Sequence, residues 1–262
     1  MAFLHLSDLD LYYEINGSGP PLLLIHGLGS SSRDWEMQIE PFAQKYQVIT
    51  LDLCGHGQSG KPPGPYSIRL FAEDTTALIR ELEIAPLHVV GISMGGMVAF
   101  ELAVHFPNLL RSLTVVNSYP EMRVETMRER VQVWRRFLFL ELLGMRGTGI
   151  MLSRHLFPYP EQADLRKLFV QRWAENDRHA YRESLRAIIN WDVENRLTEI
   201  KCPVLVVASD QDYMPLGEKQ AYTAKIPNAR LVVIENARHA VTAERPEQFN
   251  AVLDEFLMGL DK

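Results

Sequence analysis

Cysteine is scarce in this chain. Only Cys54 and Cys202 occur among 262 residues, and neither belongs to a Cys-x-x-Cys pair or to a cysteine and histidine cluster with metal-ligand spacing. This scarcity argues against a disulfide framework and against a structural zinc site. The sequence also lacks the Gly-x-Gly-x-x-Gly, P-loop and His-Glu-x-x-His patterns that support nucleotide and metal sites. We therefore expect no cofactor and no bound metal.

Long apolar runs are missing as well. No run approaches the roughly 18 residues of a transmembrane helix, and residues 1–8 lack the basic region of a secretory signal peptide. The net charge of −6 argues against a general affinity for nucleic acid. We expect a cytoplasmic protein with a small-molecule ester as its partner and with no nucleic-acid or membrane partner. The sequence leaves a homodimer open.

The composition that is present is that of an ordinary folded protein. Hydrophobic residues make up 47% of the chain and charged residues 23%, which excludes a disordered or fibrous protein. A single domain near this length buries about 75% of the surface of its unfolded chain. One compact domain with an insertion is therefore the expectation.

Near-continuous apolar runs alternate with amphipathic helical patterns along most of the chain. Such runs are typical of parallel strands that helices cover on both faces. The predicted fold class is thus α/β, with a mostly parallel, doubly wound sheet and one antiparallel edge strand. The predicted strands lie at residues 9–15, 21–26, 48–52, 87–90, 113–117, 203–208 and 229–234, and predicted helices lie at 35–43 and 68–82.

The alternation stops between residues 119 and 195, where no strand-like run occurs. Apolar residues at helical spacing predict one long helix over 127–142, followed by Gly144 and Gly147 as breaks and by two or three further helices. An insertion of this length is too long for a loop. We expect a helical cap at 119–195 on a core of 1–118 and 196–262; a separate regulatory module is the alternative.

The most informative motif is Gly-Ile-Ser-Met-Gly at residues 91–95. It joins a short apolar strand to a buried helix, which places Ser93 on a strand-to-helix turn. A serine there adopts a positive φ and exposes its Oγ, provided that the neighbouring backbone can approach closely. Glycines at 91 and 95 remove the Cβ atoms that would clash. Ser93 is therefore a candidate nucleophile.

A nucleophilic serine needs a base and an acid that orients the base. His239 follows the last predicted strand, and Asp210 and Asp212 follow the strand before it. Because the carboxyl ends of parallel strands meet at one edge of the sheet, we expect Ser93, His239 and one of these aspartates to meet there. Asp212 is the preferred acid and Asp210 the alternative.

An oxyanion site is predicted from two backbone amides. The His-Gly-Leu-Gly loop at residues 26–29 ends the first parallel strand and can present the Leu28 amide. The helix after Ser93 begins at Met94, whose amide lies at the helix N-terminus and can supply the second hydrogen bond. Amides so placed stabilise the oxygen of a tetrahedral intermediate. A simple turn is the alternative reading of the 26–29 loop.

Together these residues resemble the α/β-hydrolase family, and the resemblance covers nearly the whole chain outside the cap. The matching segments, in chain order, are His-Gly at 26–27, Asp-x-x-Gly-x-Gly-x-Ser at 52–59, the nucleophile turn at 91–96, Asp212, and His239 with Glu-x-Pro-x-x-Phe at 244–249. The resemblance implies an α/β-hydrolase fold with a helical cap inserted after strand 6. It also implies catalytic roles for Ser93, Asp212 and His239. Haloalkane dehalogenases and epoxide hydrolases are excluded, because their nucleophile here is an aspartate.

Within the family, the loop at residues 26–31 resembles carboxylesterases and enol-lactone hydrolases more than carbon-carbon hydrolases. The expected function is a serine hydrolase that cleaves carboxylic esters of short to medium acyl chains. A lactonase or enol-lactone hydrolase is the enzymatic alternative, and thioesterase and perhydrolase activities stay open. A small-molecule receptor that retains the fold is the non-enzymatic alternative.

The cap is expected to determine the substrate. Its large apolar side chains are candidates for a pocket wall, with packing between the cap helices as the alternative for most of them. A carboxylate-bearing substrate would require an unpaired cap arginine that faces the pocket, such as Arg128, Arg135 or Arg154. The predicted substrate-binding residues are Trp134, Phe137, Met145 and Trp191, and the wider candidate set adds Phe139, Met151, Phe157 and Trp173.

Overall fold

A computed structural model of the protein describes residues 2–260. These residues form an eight-stranded sheet with the strand order β1-β2-β4-β3-β5-β6-β7-β8. The strands are β1 (Ala2–His5), β2 (Asp10–Asn16), β3 (Pro21–Ile25), β4 (Gln47–Leu51), β5 (Leu87–Ile92), β6 (Leu110–Val116), β7 (Val204–Ser209) and β8 (Ala229–Ile234). The six strands from β4 to β8 in this order are parallel, and β2 pairs antiparallel with both β1 and β4.

The helices complete the alternation. They are α1 (Glu36–Ala43), α2 (Ile68–Glu81), α3 (Met94–His105), α4 (Met127–Leu156), α5 (Ala163–Ala174), α6 (Arg178–Ile188), α7 (Leu216–Thr223), α8 (Val241–Glu244) and α9 (Pro246–Leu260). None of the helices within residues 2–260 has both the length and the apolar character needed to cross a membrane. The mostly parallel α/β sheet predicted from the sequence is confirmed.

Strand β3 shows why the central strands are apolar throughout. Successive side chains of a strand point to opposite faces of the sheet. Leu23 and Ile25 join the core on the side of α2 and α3, whereas Leu22 and Leu24 join the core on the side of α1 and α9. Since helices cover both faces, no position of the strand is left for a solvated side chain.

The amino-terminal strand β1 was not expected from the sequence. It pairs antiparallel with β2 and extends the sheet beyond the predicted edge strand. Phe3 packs edge to face on Tyr12 of β2, with ring centroids 5.3 Å apart. With four residues and alternate exposure, β1 is too short for a periodicity argument to detect.

Between β6 and β7 the chain contains α4, α5 and α6 and an isolated bridge from Glu121 to Asp192. Thr126 caps α4 with its hydroxyl, and Glu129 completes a capping box. Helix α4 continues beyond the predicted end at residue 142, but it is interrupted at Gly144, where φ is 63°. The predicted break therefore occurs inside the helical segment. The division into a core and a cap at residues 118 and 196 stays a prediction.

Helix α3 lies unusually close to the sheet, because two glycines remove side chains from the contact. A Cβ on Gly91 would lie 2.1 Å from the carbonyl oxygen of Gly95. A Cβ on Gly95 would lie 2.2 Å from the Ile25 oxygen and 2.5 Å from the His26 oxygen. These oxygens are backbone atoms at the end of β3 and cannot move independently of the sheet.

Replacing Gly95 with alanine (Gly95→Ala) should lower the free energy of unfolding by about 2 kcal/mol or more, because α3 must move away from β3. Urea unfolding followed by tryptophan fluorescence measures the change. The matched control is Gly259→Ala in α9, where a Cβ would meet no atom within 4 Å. The control should change the unfolding free energy by less than about 1 kcal/mol. Similar losses in the two variants would contradict this account of the contact.

Candidate active site

Ser93 occupies the turn between β5 and α3. Its φ of 55° and ψ of −119° lie outside the regions that most side chains adopt, so the positive φ predicted from the sequence is confirmed. The surrounding backbone holds this strained conformation. The Ser93 amide donates to the Val116 oxygen at 3.0 Å, and the Ser118 hydroxyl donates to the Ser93 oxygen at 2.7 Å. Ser93 lines a cavity that also contains His239 and Tyr213 in its wall.

His239 and Asp212 form a hydrogen-bonded pair at the ends of β8 and β7. The distance from His239 Nδ1 to Asp212 Oδ1 is 2.9 Å. Because the carboxylate accepts the Nδ1 proton, Nε2 is left as the proton acceptor that can face a nucleophile. Asp210 instead accepts a hydrogen bond from the Ala237 amide at 3.1 Å. The structure thus places Asp212 rather than Asp210 beside the histidine.

Lys219 on α7 is a buried partner of Asp212 that the sequence reasoning missed. Its Nζ lies 2.5 Å from Asp212 Oδ2, and neither side chain is exposed to solvent. Burial raises the pKa of Asp212, but the His239 hydrogen bond and the His239 and Lys219 charges outweigh it and leave the pKa below its usual value. Burial lowers the pKa of Lys219, against the attraction of Asp212. The sequence signal was a lysine on the same helix face as Tyr222, which is buried.

Asn117 joins these groups beneath the site. It follows β6 and has a φ of 42°. Its side-chain oxygen accepts from Lys219 Nζ at 2.8 Å and from the Ser209 amide at 2.9 Å. Its side-chain nitrogen donates to the His239 oxygen at 3.0 Å. One amide side chain thereby fixes the loop after β7 to the loop after β8.

Tyr213 is the second neighbour of His239. Its hydroxyl lies 3.0 Å from His239 Nε2, and the two ring centroids are 4.4 Å apart. Burial raises the pKa of the Tyr213 phenol, and Arg136 and Ser93 are close enough to oppose that increase. Although half of the residue is exposed, its hydroxyl lies beside His239 Nε2 and within hydrogen-bonding reach of Ser93. No pattern in the sequence indicates this contact.

The loop after β3 lies beside Ser93. A Cβ on Gly27 would lie 3.3 Å from the Ser93 Cβ, and Leu28 and Met94 both line the cavity. Met94 is the first residue of α3, where an amide has no acceptor inside the helix. The two predicted oxyanion residues are therefore brought to the same wall of the cavity as Ser93.

His26 stabilises this loop and carries no positive charge. It is fully buried, and burial lowers its pKa to about 4. The Leu53 amide donates to its Nε2 at 3.0 Å, which leaves Nδ1 to donate to the Gly27 oxygen at 2.8 Å. A neutral ring with this tautomer satisfies both contacts.

The cavity has a volume of about 660 Å³, within the range of small-molecule sites. Ser93, His239 and Tyr213 line it together with residues of α4, α5 and α6. Of the wider candidate set, Phe157 and Trp173 lie in its wall. Within residues 2–260, no group of three or more His, Cys, Asp or Glu side chains is arranged to hold a metal ion.

None of the four predicted substrate-binding residues lines this cavity, and the structure corrects that expectation. Trp134 is 62% exposed on the outer side of α4. Phe137 and Met145 pack into the cluster that joins α4, α5 and α6. Trp191 packs against the main core, and its Nε1 donates to Glu101 Oε2 at 2.8 Å. Most of these apolar residues therefore pack against other helices or the core, which is the alternative to a place in the pocket wall.

The three arginines named from the sequence are also placed elsewhere. Arg128, Arg135 and Arg154 are exposed, and none lines the cavity. Arg136 does line it. Arg136 directly follows Arg135, and one residue corresponds to about 100° of rotation around α4.

Comparisons with known proteins agree with this geometry. A family model described as the alpha/beta hydrolase fold matches residues 20–246. The chain belongs to the α/β-hydrolase family. This α/β-hydrolase is 32% identical over 270 residues to a protein of Azorhizobium caulinodans named "Putative carbamate hydrolase RutD", with all of both chains covered.

Two further relatives of this α/β-hydrolase are informative. It is 31% identical to "3-oxoadipate enol-lactonase 2" of Acinetobacter baylyi, with 94% of this chain and 92% of the relative covered. The solved structure of a hydrolase from Pseudomonas aeruginosa superimposes with a TM-score of 0.89 at 28% identity, covering 98% and 97% of the two chains. The protein is accordingly a hydrolase.

Replacing Lys219 with methionine (Lys219→Met) should lower the free energy of unfolding by about 3 to 5 kcal/mol, because Asp212 loses a buried partner. Loss of the positive charge should also raise the pKa of Asp212, which must be ionised for activity, so the acidic limb of the pH dependence of kcat/KM should move to higher pH. Denaturant unfolding and a pH series measure the two effects. The control Lys225→Met removes an exposed ion pair with Glu194 and should change stability by less than about 1 kcal/mol. An unshifted acidic limb in Lys219→Met would refute the electrostatic role.

Replacing Tyr213 with phenylalanine (Tyr213→Phe) should raise the rate at which a fluorophosphonate labels Ser93 by about fivefold, since one hydrogen bond that competes for Nε2 is lost. Stopped-time labelling of both proteins gives the ratio. The control is Tyr159→Phe, whose hydroxyl contacts Gln211 on the same loop at 3.2 Å; its labelling rate should match that of the wild type. A fall of about tenfold or more in Tyr213→Phe would instead make the phenol a participant in the reaction.

Proposed function

We propose that this hydrolase cleaves carboxylic esters of short to medium acyl chains through an acyl-enzyme intermediate on Ser93. The observation that carries the proposal is the 2.9 Å contact between His239 and Asp212. It fixes the tautomer in which Nε2 faces the cavity that Ser93 also lines. A base in that state beside a strained serine is the arrangement needed for acyl transfer.

The first half of the reaction forms the acyl-enzyme. His239 Nε2 takes the Ser93 proton, and Oγ attacks the ester carbonyl to form a tetrahedral intermediate. The amides of Leu28 and Met94 hold the oxyanion, and the ionised Asp212 stabilises the imidazolium. As the C–O bond to the alcohol breaks, His239 returns the proton to the leaving oxygen.

Water completes the cycle by the same route. His239 takes a proton from water, the hydroxide oxygen attacks the acyl carbonyl, and the second tetrahedral intermediate releases the acid while Ser93 Oγ regains a proton.

Before the first of these proton transfers, the Tyr213 hydroxyl must leave His239 Nε2, because one lone pair cannot accept from two donors. Its position on the exposed loop between β7 and α7 allows this movement.

Lactone hydrolysis is the second candidate function. It uses the same steps, but the leaving alcohol stays attached to the acyl group. The relative named as an enol-lactonase, which covers 94% of this chain, supports it. Turnover of a matched panel of linear esters, thioesters and lactones distinguishes these activities, and a receptor would turn over none of them.

Replacing Ser93 with alanine (Ser93→Ala) should reduce turnover of 4-nitrophenyl butyrate by about 10⁴-fold or more, because the acyl-enzyme cannot form. A fluorophosphonate probe should label the wild type and leave Ser93→Ala unlabelled in intact-mass spectra. The control Ser7→Ala changes an exposed serine before β2 and should keep both activities. Full activity in Ser93→Ala would overturn the proposal, and a wild type that resists the probe would favour a receptor.

A further inference from the structure

Arg136 is an under-bonded cation in the wall of the cavity. It lies on α4, and its Nη2 donates to the Tyr181 hydroxyl at 2.9 Å. Its Nε is shut off from solvent and has no hydrogen-bond partner. A guanidinium carries five N–H donors, and the described residues give this one a single acceptor, which is neutral.

The other arginines of the same wall are neutralised. Arg172 pairs with Glu36 at 2.7 Å, and Arg33 pairs with Glu175 at 2.6 Å. For Arg136, by contrast, the part of the chain between residues 2 and 260 supplies no carboxylate within ion-pair distance. Arg136 therefore differs from the other two arginines of the cavity, because its positive charge is not paired with a carboxylate.

A cation in this state favours an anionic ligand. Taking a charged group out of water is unfavourable unless an opposite charge and hydrogen bonds compensate for it. A carboxylate offers two acceptor oxygens with the spacing of two guanidinium N–H groups and forms a strong, charge-assisted pair with arginine. Neutral acyl chains leave the Arg136 donors unsatisfied.

Arg136 is also close to the reacting groups. It lines the same cavity as Ser93, Tyr213 and His239, and its charge partly offsets the increase that burial causes in the pKa of the Tyr213 phenol. The Tyr213 hydroxyl in turn lies 3.0 Å from His239 Nε2. The Tyr181 ring that Arg136 contacts packs on the loop after β3, since a Cβ on Gly29 would lie 2.9 Å from that ring. A carboxylate at Arg136 and a carbonyl at Ser93 would therefore share one cavity.

We propose that Arg136 binds a free carboxylate of the substrate, so that the preferred substrates are esters or lactones of dicarboxylic or other acid-bearing molecules. The inference rests on the proposed function, because it assigns the substrate class of the same Ser93 site. Arg136 acts in recognition and takes no part in proton transfer.

The test compares two substrates that differ only in charge: 4-nitrophenyl hydrogen glutarate and its neutral methyl ester. The wild type should have the higher kcat/KM for the half-ester. Replacing Arg136 with glutamine (Arg136→Gln) should reduce kcat/KM for the half-ester by about 10- to 100-fold. The neutral diester should change by less than about threefold. Half-esters of malonate, succinate and adipate then locate the best chain length.

Two further variants serve as controls. Arg135→Gln removes the adjacent arginine, which is exposed and stacks over Phe139 at 5.6 Å, and it should keep the half-ester preference. Arg136→Lys retains the charge without the fork of donors and should recover part of the preference. Equal activity of the wild type on both substrates, or equal losses of both in Arg136→Gln, would overturn the inference.

A binding measurement separates this inference from the proposed function. Calorimetric titration of glutarate into Ser93→Ala should show binding that the added Arg136→Gln substitution abolishes. If neither ester is hydrolysed but this binding occurs, the ester hydrolase proposal fails and the carboxylate site stands. If the neutral diester is hydrolysed at Ser93 and glutarate does not bind, the hydrolase proposal stands and the carboxylate site fails.

Discussion

The close approach of α3 to the centre of the sheet is the constraint on which the site depends. Without side chains at Gly91 and Gly95, the helix begins against the backbone of β3. The turn between β5 and α3 then has room only for a residue with positive φ, and Ser93 occupies it. The same contact places the first amide of α3 beside the loop after β3. One steric condition therefore fixes the serine and both predicted oxyanion amides.

The acid and the histidine depend on a different kind of interaction, a buried polar network. Asn117 bonds to Lys219 and to the backbone of His239, and Lys219 bonds to Asp212. Burial alone would favour a neutral Asp212. Because two cationic or proton-donating neighbours hold its oxygens, the carboxylate stays charged where the imidazolium would need it. The network also holds the loops after β7 and β8 together, because each loop contributes a hydrogen-bonding group to it.

The sequence predicted the features that follow from periodicity and chain order. Runs buried on both faces identified the parallel strands, and the order of Ser93, Asp212 and His239 brought them to one edge. The sequence did not predict which residues of the helices between β6 and β7 contact the cavity. Helix α4 is partly buried on more than one side, so its apolar residues do not form a single clear stripe. The non-helical backbone at Gly144 also changes which side of the helix the following residues occupy. Trp134 therefore points outward, and Arg136 replaces Arg135 at the cavity. Lys219 was harder to predict, because only Asp212 is near it in the sequence, whereas its other partner, Asn117, lies 102 residues away.

Tyr213 connects the two halves of the site. Its hydroxyl lies 3.0 Å from His239 Nε2, the acceptor that Ser93 requires, and Arg136 lies near enough to influence the phenol. A carboxylate held by Arg136 would offer that hydroxyl an ionised acceptor, and charge-assisted hydrogen bonds are roughly twice as strong as neutral ones. The phenol would then exchange the imidazole for the ligand and leave Nε2 to Ser93. On this argument, the group that recognises an acidic substrate would also favour release of the base, and neutral esters would meet a site in which the phenol still competes.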